Sequence, residues 1–496
     1  MFRIIFAILC SFTLLTQADE RPNIILILVD DMGYSDLGSF GSEIQTPNLD
    51  TLAKNGIKFT NFTNCAKCET TRTTLMSGRY HTEVKSNNVI TIPENLALGG
   101  YQNFMIGKWH VFDTPYKRGF DRYFGFLNGA VNFFTGESTK KGEWHWRVDD
   151  KPFEIPKDFY CTTAFTDYAV KYIGERDKKK PFFMYLAHNA PHYPLQAPKE
   201  EVMKYRGKYK TGWEVLRQQR FKKMKELNII PQDTKLSTPE PNVRKWDSLS
   251  EEEKDWQDLK MATYAAMVDM VDQSVGKVVA KLKEEKIFDN TLIIFLSDNG
   301  ACPFERTYKE TNEQKLMPWD PKSFHCYPQD WANACNTPWR KYKQNQNEGG
   351  ISTAMIAHWP KGIKNPGSFD RQRGHLVDFH ATFRDLAGVD YPSEYKGNKI
   401  GPARGISLVP TFKGEKRPEH KYLYQNFGNK FTALVFGKWK LVDKKYLYNL
   451  ETDRIESNDL SQRMPEKFKE MLSLWDDKNK ELNGGKGPNK KKKKKK

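Results

Sequence analysis

Two adjacent pairs of oxygen-bearing side chains, Asp30-Asp31 and Asp298-Asn299, stand where apolar runs stop. Carboxylate and amide oxygens from two separate points of a chain suit a hard cation, Ca2+ or Mg2+, far better than zinc, which favours nitrogen and sulfur. Paired acids at strand ends also cap helices, and that plainer use competes with the metal. Cys65 and Cys68 have the Cys-x-x-Cys spacing. No second cysteine pair follows at ligand spacing, so four-coordinate zinc is disfavoured, and a buried thiol pair or a single disulfide stays open. Arg72, Lys108 and Lys343 taken singly are ordinary solvated charges. Gathered at one spot, they would stabilise the negative charge that develops on an ester's oxygens and leaving group, with lysine acting as a point charge against a tetrahedral oxyanion. His110 and His192 are two of ten histidines in the chain, and imidazole titrates near neutrality, so either can give or take a proton.

The residues Cys68, Arg72, Leu75, Gly78 and Arg79 resemble the signature of the type I sulfatases, Cys-x-Pro-Ser-Arg followed after five residues by Gly-Arg. Thr70 stands where that signature has Pro, and Thr71 where it has Ser. The resemblance extends to Asp30 through Gly38, Gly107-Lys108-Trp109-His110, Ala190-Pro191-His192-Tyr193-Pro194, Ser297-Asp298-Asn299-Gly300, and Pro338 through Lys343 with Glu348-Gly349-Gly350. Gly437 through Val442 and Tyr448-Asn449-Leu450-Glu451 resemble the family's C-terminal subdomain. On these motifs the chain is identified as an arylsulfatase-like member of the alkaline-phosphatase-like superfamily.

The resemblance implies that a formylglycine-generating maturation enzyme converts Cys68 to formylglycine, whose hydrated aldehyde is the nucleophile and a metal ligand. It further implies one ion, Ca2+ in preference to Mg2+, held by Asp30, Asp31, residue 68, Asp298 and Asn299. Arg72, Lys108 and Lys343 would surround the formylglycine and the sulfate. His192 would protonate the leaving alcohol, and His110 would take the proton of the formylglycine hydroxyl. The expected substrate is a sulfated small molecule or polysaccharide. Two alternatives are a phosphoesterase of the same superfamily, which would be expected to use Ser or Thr and usually a second metal cluster, and a maturation-deficient secreted binding protein.

The elements that must position these groups are legible as runs. Ile24 to Val29, Phe182 to Ala187 and Thr291 to Leu296 are continuous apolar stretches of the kind buried on both faces of a parallel sheet, and each spills polar residues at its C-terminal end. In open α/β sheets that edge is where ligands bind. Thr46-Pro47 reads as a helix start, with Gly56 as its stop. Met261 to Glu285 has apolar residues at helical spacing and feeds the third run. The fold class is therefore α/β: a large mixed, mostly parallel sheet flanked by helices. Beyond about Tyr395 come short strand-like pieces, Lys421 to Gln425, Phe431 to Phe436, Trp439 to Val442 and Tyr446 to Leu450, then a helix from Pro465 to Trp475. They predict a smaller C-terminal antiparallel-sheet subdomain. The expected organisation is a signal peptide over 1–18, a catalytic α/β domain over 19–394, the antiparallel subdomain with its helix over 395–482, and a disordered Lys-rich tail over 483–496.

Composition bounds the rest. A chain of 496 residues, 38% hydrophobic, has the apolar content to fold, and seven cysteines are too sparse for a disulfide framework. The net charge of +17 is partly local, since Lys490 to Lys496 carry seven of the positive charges; no specific nucleic-acid partner is expected. Arg3 followed by the apolar stretch Ile4 to Thr16 reads as a secretion signal, which predicts a secreted or periplasmic protein. That stretch is too short to cross a bilayer, and no membrane span is expected.

Overall fold

Six consecutive apolar residues suit a strand buried on both faces of a sheet, and Ile24 to Val29 lie in one, all inaccessible to solvent. The computed structural model describes residues 20–139, 146–428 and 430–483. The signal peptide expected over 1–18, and the expected tail from 484 onward, lie outside the described residues. The large sheet is built from β1 (Asn23–Val29), β2 (Ile57–Thr63), β3 (Gln102–Lys108), β4 (Arg122–Phe126), β5 (Trp146–Val148), β6 (Lys151–Pro152), β7 (Phe182–Ala187), β8 (Thr291–Ser297), β9 (Ser352–His358), β10 (Ser368–Asp370) and β11 (Gly374–His375). Its order is β10-β2-β9-β8-β1-β7-β3-β4-β5-β6, with β11 also paired to β2. The centre, β8-β1-β7-β3-β4, is parallel. β9 runs antiparallel to both β8 and β2, so the sheet is mixed.

Alternation along β1 divides the core. Ile25, Ile27 and Val29 face one layer, shared with Met267, Val271 and Val275 of the helix Glu251–Glu284 and Phe165 of the helix Cys161–Glu175. Ile24, Leu26 and Leu28 face the other, shared with Leu75 and Met76 of the helix Cys68–Ser77 and Phe379 and Phe383 of the helix Asp378–Ala387. Each fully buried Ile or Leu contributes on the order of 1.5–3 kcal/mol, so β1 is pinned in register from both sides.

The helix expected from Met261 begins ten residues earlier, at Glu251. Its first turns are largely polar and carry no apolar period, and a capping box between Ser250 and Glu253 starts it instead. The helix Pro47–Lys54 has Pro at its first position as expected, but the Thr46 side chain makes no cap. Asp272 accepts the N–H groups of Asn48 (3.1 Å) and Leu49 (2.7 Å) from the long helix, capping Pro47–Lys54 from a different element.

After the hairpin β12 (Glu394–Tyr395) and β13 (Asn398–Lys399), Leu408, Val409 and Phe412 still pack with the large sheet. The antiparallel sheet β14 (Leu423–Phe427), β15 (Phe431–Phe436), β16 (Trp439–Val442) and β17 (Tyr446–Asn449) follows in simple meander order. The terminal helix runs to Leu482 rather than Trp475, because buried Leu482 extends its inner face past a charged stretch. Gln425 in β14 donates to the Asn64 carbonyl (2.9 Å), bracing the exit of β2 just before Cys65.

Candidate functional site

The C-terminal ends of β1, β8, β3 and β7 lie side by side, and the chain leaves each of them with a candidate residue. Asp30 and Asp31 follow β1, Asp298 and Asn299 follow β8, Lys108 ends β3, and His192 comes five residues after β7. Asp31 (φ 68°) and His110 (φ 50°) adopt left-handed backbone conformations, uncommon for non-glycine residues. Close approach also fixes the motif glycines: a Cβ on Gly300 would stand 1.9 Å from the Gly349 carbonyl oxygen, so Asp298-Asn299-Gly300 and Glu348-Gly349-Gly350 interlock only without side chains there.

One oxygen from each of Asp30, Asp31 and Asp298 falls within a mutual 4.8 Å, and Asp30, Cys68 and His192 meet the same criterion. Asp30 Oδ1, Asp31 Oδ2 and Asn299 Oδ1 are buried without a hydrogen-bond partner. Buried oxygens of this kind are rarely left so, and an all-oxygen cluster of them fits a hard divalent cation. Among the described residues both clusters of metal-ligand spacing share Asp30, so no separate second cluster is present.

Three cations interleave with the three carboxylates. Lys108 Nζ pairs with Asp30 Oδ2. Lys343 Nζ lies 2.5 Å from Asp31 Oδ1, which also accepts from Asn299 (2.6 Å). Arg72, one turn into the helix that Cys68 begins, donates through Nε and Nη2 to Asp298 Oδ2 at 3.2 and 3.0 Å and through Nη1 to the Lys108 carbonyl at 2.9 Å. Burial works to raise the Asp30 carboxyl, but Lys108, with His192, Arg72 and Lys343 behind it, outweighs burial and holds it below the usual carboxylate range. Burial and the Asp30 charge push Asp298 up. Burial opposes charge on Lys343, yet Asp31 overrides it and keeps the ammonium protonated.

Cys68 is the first residue of its helix, and burial pushes its thiol up. Thr71, three residues on, donates its hydroxyl to the Asp298 carbonyl (2.6 Å) and accepts from Cys65 N–H (3.0 Å), tying the cysteine turn to the end of β8. The loop that carries Lys343 is fastened on both sides: Lys343 N–H donates to Ala301 (3.1 Å) and Gln344 N–H to Ala66 (2.7 Å). All six cysteines among the described residues are buried free thiols. His192 has Nε2 3.5 Å from Asp31 Oδ2 and Nδ1 2.6 Å from the Tyr193 carbonyl. Burial pushes it down to about 4, and His110 down to about 2.

A cavity of about 400 Å³ opens over this edge, lined by Cys68, His110, His192 and Lys343. Arg72 and Lys108 do not line it; both are fully buried against carboxylates. Sequence reasoning did not single out Tyr185, whose hydroxyl accepts from Arg72 (3.4 Å), or Tyr193 and Arg306, which line the cavity beside Phe304, Tyr308 and Phe324. Tyr185 sits in the middle of an apolar strand and carries no local signal.

The sulfatase family model matches residues 22–389. An uncharacterized sulfatase of Schizosaccharomyces pombe is 32% identical, the match covering 92% of this chain and 93% of that protein. The arylsulfatase of Klebsiella aerogenes is 31% identical over 78% of this chain and 91% of its own. Among solved structures, Ps i-CgsB in complex with k-i-k-neocarrahexaose superposes with a TM-score of 0.67 at 28% identity, covering 95% of this chain and 94% of that one.

Proposed function

The chain belongs to the sulfatase family, as a type I sulfatase and sulfuric ester hydrolase of the alkaline-phosphatase-like superfamily, and from that premise we propose that residue 68, converted to formylglycine, cleaves sulfate esters beside one bound Ca2+. The observation that carries this reading is the placement of Cys68 at a helix N-terminus, with its sulfur among Asp30 and His192 atoms no more than 4.8 Å apart. Formylglycine would supply a hydrated aldehyde, with one hydroxyl as nucleophile and a second through which the residue could be regenerated without another nucleophile. Asp30, Asp31, Asp298 and Asn299 would hold the cation, which supplies positive charge where the sulfate oxygens and nucleophile become negative.

The chain's own residues do the remaining work. Lys343 reaches the cavity and contributes a cation to the sulfate oxygens. Arg72 and Lys108 act from behind, fixing Asp298 and Asp30 in place and balancing their charge. His192, made strongly acidic by burial, donates its proton to the departing oxygen; the negative sulfate that enters with the substrate is the charge that favours the imidazolium. His110, held neutral by burial, accepts the proton of the residue 68 hydroxyl when sulfate leaves. The oligosaccharide held by Ps i-CgsB supports a carbohydrate sulfate as substrate alongside aryl sulfates. The apolar start of the chain supports a secreted or periplasmic location, and among the described residues no helix is long and apolar enough to cross a membrane.

The test is peptide mass spectrometry across residue 68 on protein made with a formylglycine-generating enzyme, paired with an assay of inorganic sulfate release. Aldehyde at 68 with sulfate release supports the reading. Active material carrying only thiol at 68 refutes it.

A further inference from the structure

Every cation at the core of the site already has a carboxylate: Lys108 has Asp30, Lys343 has Asp31, and Arg72 has Asp298. Lys67, at the cavity edge, is paired with Glu69 at 3.4 Å. Arg306 lines the same cavity and is different. Among the described residues no carboxylate lies within ion-pair distance of its guanidinium, and its one side-chain hydrogen bond runs from Nη1 to the Tyr193 hydroxyl at 2.7 Å. The neighbouring acid, Glu305, is taken by Lys260 at 3.2 Å.

This arginine is nevertheless held in place. Its guanidinium carbon lies 4.9 Å from the centre of the Phe304 ring and 5.5 Å from that of Tyr193, the residue next to His192. Stacking on two rings restricts a side chain that would otherwise lose much rotamer freedom on binding, and it leaves the remaining N–H donors of a planar fork unused. Beside it, Tyr308 and Phe324 stack with centroids 3.9 Å apart and planes 4° from parallel, and both line the cavity although Tyr308 is 46% exposed. A flat aromatic face next to an uncommitted guanidinium matches a sugar ring carrying an anionic group.

We propose that Arg306 forms a second anion subsite, and that the preferred substrates are saccharides bearing a further sulfate or carboxylate on the sugar next to the one whose sulfate ester is cleaved, with Tyr308 and Phe324 supporting that neighbouring ring. The proposal rests on the sulfatase reading for the position of the scissile group. It extends that reading to substrate choice, since an aryl sulfate with one anion offers Arg306 nothing to bind.

The test is isothermal calorimetry on the full chain with Cys68→Ala, so that ligands bind without turnover. Three disaccharides carrying the same 6-sulfated galactose serve as probes: one with a neutral neighbour, one with a sulfated neighbour and one with a uronate neighbour. At least one anionic neighbour is expected to tighten binding by about tenfold, the effect of one charge-assisted bidentate contact. Adding Arg306→Gln should bring the ratio to the neutral probe down to about 1, with the thermal midpoint unchanged as a check on folding. Which of the two anionic probes gains identifies the anion. Equal binding of all three probes, binding of none, or a preference that survives Arg306→Gln overturns the subsite. Failure of the sulfatase reading registers separately, as absence of sulfate release by the unmutated protein, because the calorimetric ratio needs no turnover.

Discussion

Lys440 and Glu348 meet 2.8 Å apart at the seam between the two sheets, and solvent reaches neither side chain. The same ammonium lies 2.8 Å from Glu456, while Arg373 and Arg454 hold Glu348 from its other sides. Removing the lysine leaves Glu456 buried without its cation. Lys440→Met should therefore cost about 3–5 kcal/mol in chemical denaturation, the range for breaking one side of a buried pair. A loss under about 1 kcal/mol would mean that the seam is held by apolar packing alone.

The seam also predicts an acid limb. Burial works to raise Glu348, but Arg373, Lys440 and Arg454 outweigh it and hold the carboxyl well below the usual range. A carboxyl depressed in the folded state contributes stability that is fully present above its unfolded value of about 4.3 and lost as pH falls below it toward the folded value. Denaturation midpoints followed from pH 6 to pH 3 should fall more steeply for the parent than for Glu348→Gln. Parallel curves would contradict this.

Cys68→Ala should abolish sulfate release while shifting stability by about 1 kcal/mol or less, since it trims one atom at a helix start. Thr70→Pro tests the departure from the family signature. The first i to i−4 bond of the helix is Thr71 N–H to Lys67 at 2.9 Å, so residue 70 lies in the first turn, where proline is admitted. Thr70→Pro should fold and carry a larger fraction of aldehyde at 68 when produced with the maturation enzyme. An unchanged or smaller fraction by mass spectrometry would show that Thr70 does not limit conversion.

Chelation should both inactivate and destabilise. An ion held at a hundred times its dissociation constant stabilises a fold by about 2.7 kcal/mol, so EDTA should lower the melting temperature together with activity, and Ca2+ should restore both. Asp31→Asn should weaken that calcium response. Full activity after exhaustive chelation, with no divalent metal in elemental analysis, would remove the cation from the reaction.

The role given to His192 makes leaving-group chemistry diagnostic. His192→Ala should slow alkyl or sugar sulfates by about 10²–10⁴-fold, the usual contribution of a positioned acid, and nitrophenyl sulfate far less because its departing oxygen hardly needs a proton. Equal losses on the two substrate classes would assign His192 to binding. Lys343→Ala should slow both.

How legible was this in the sequence? Asp30-Asp31 and Asp298-Asn299 stand out because polar pairs end apolar runs, and parallel strands bring such ends to one edge. The direction in which a side chain points is not written locally. Arg72 and Lys108 read as cations for a substrate; each side chain pairs with a buried carboxylate, Asp298 and Asp30, and neither lines the cavity. Arg306 stayed invisible since nothing near it shows that the segment after β8 folds back over the cavity. The Asp272 cap has no local signal either, since it serves a helix more than 200 residues earlier. The first turns of the long helix carry no apolar period, because a capping box starts them instead.

The position of β1 between β8 and β7 has a meaning in time. Its last residue, Val29, is synthesised long before Ser297, its partner in β8. At about 5–20 residues per second that gap lasts roughly 15–50 s. Throughout it, the strand that carries Asp30 and Asp31 has no β8 beside it and offers a bare apolar edge to any factor that holds the nascent chain. Cys68 is likewise still reachable, because the Asp298 carbonyl that fastens its turn has not yet been made. Any enzyme that acts on this residue before the fold closes would have an interval set by the ribosome, and faster translation would shorten it.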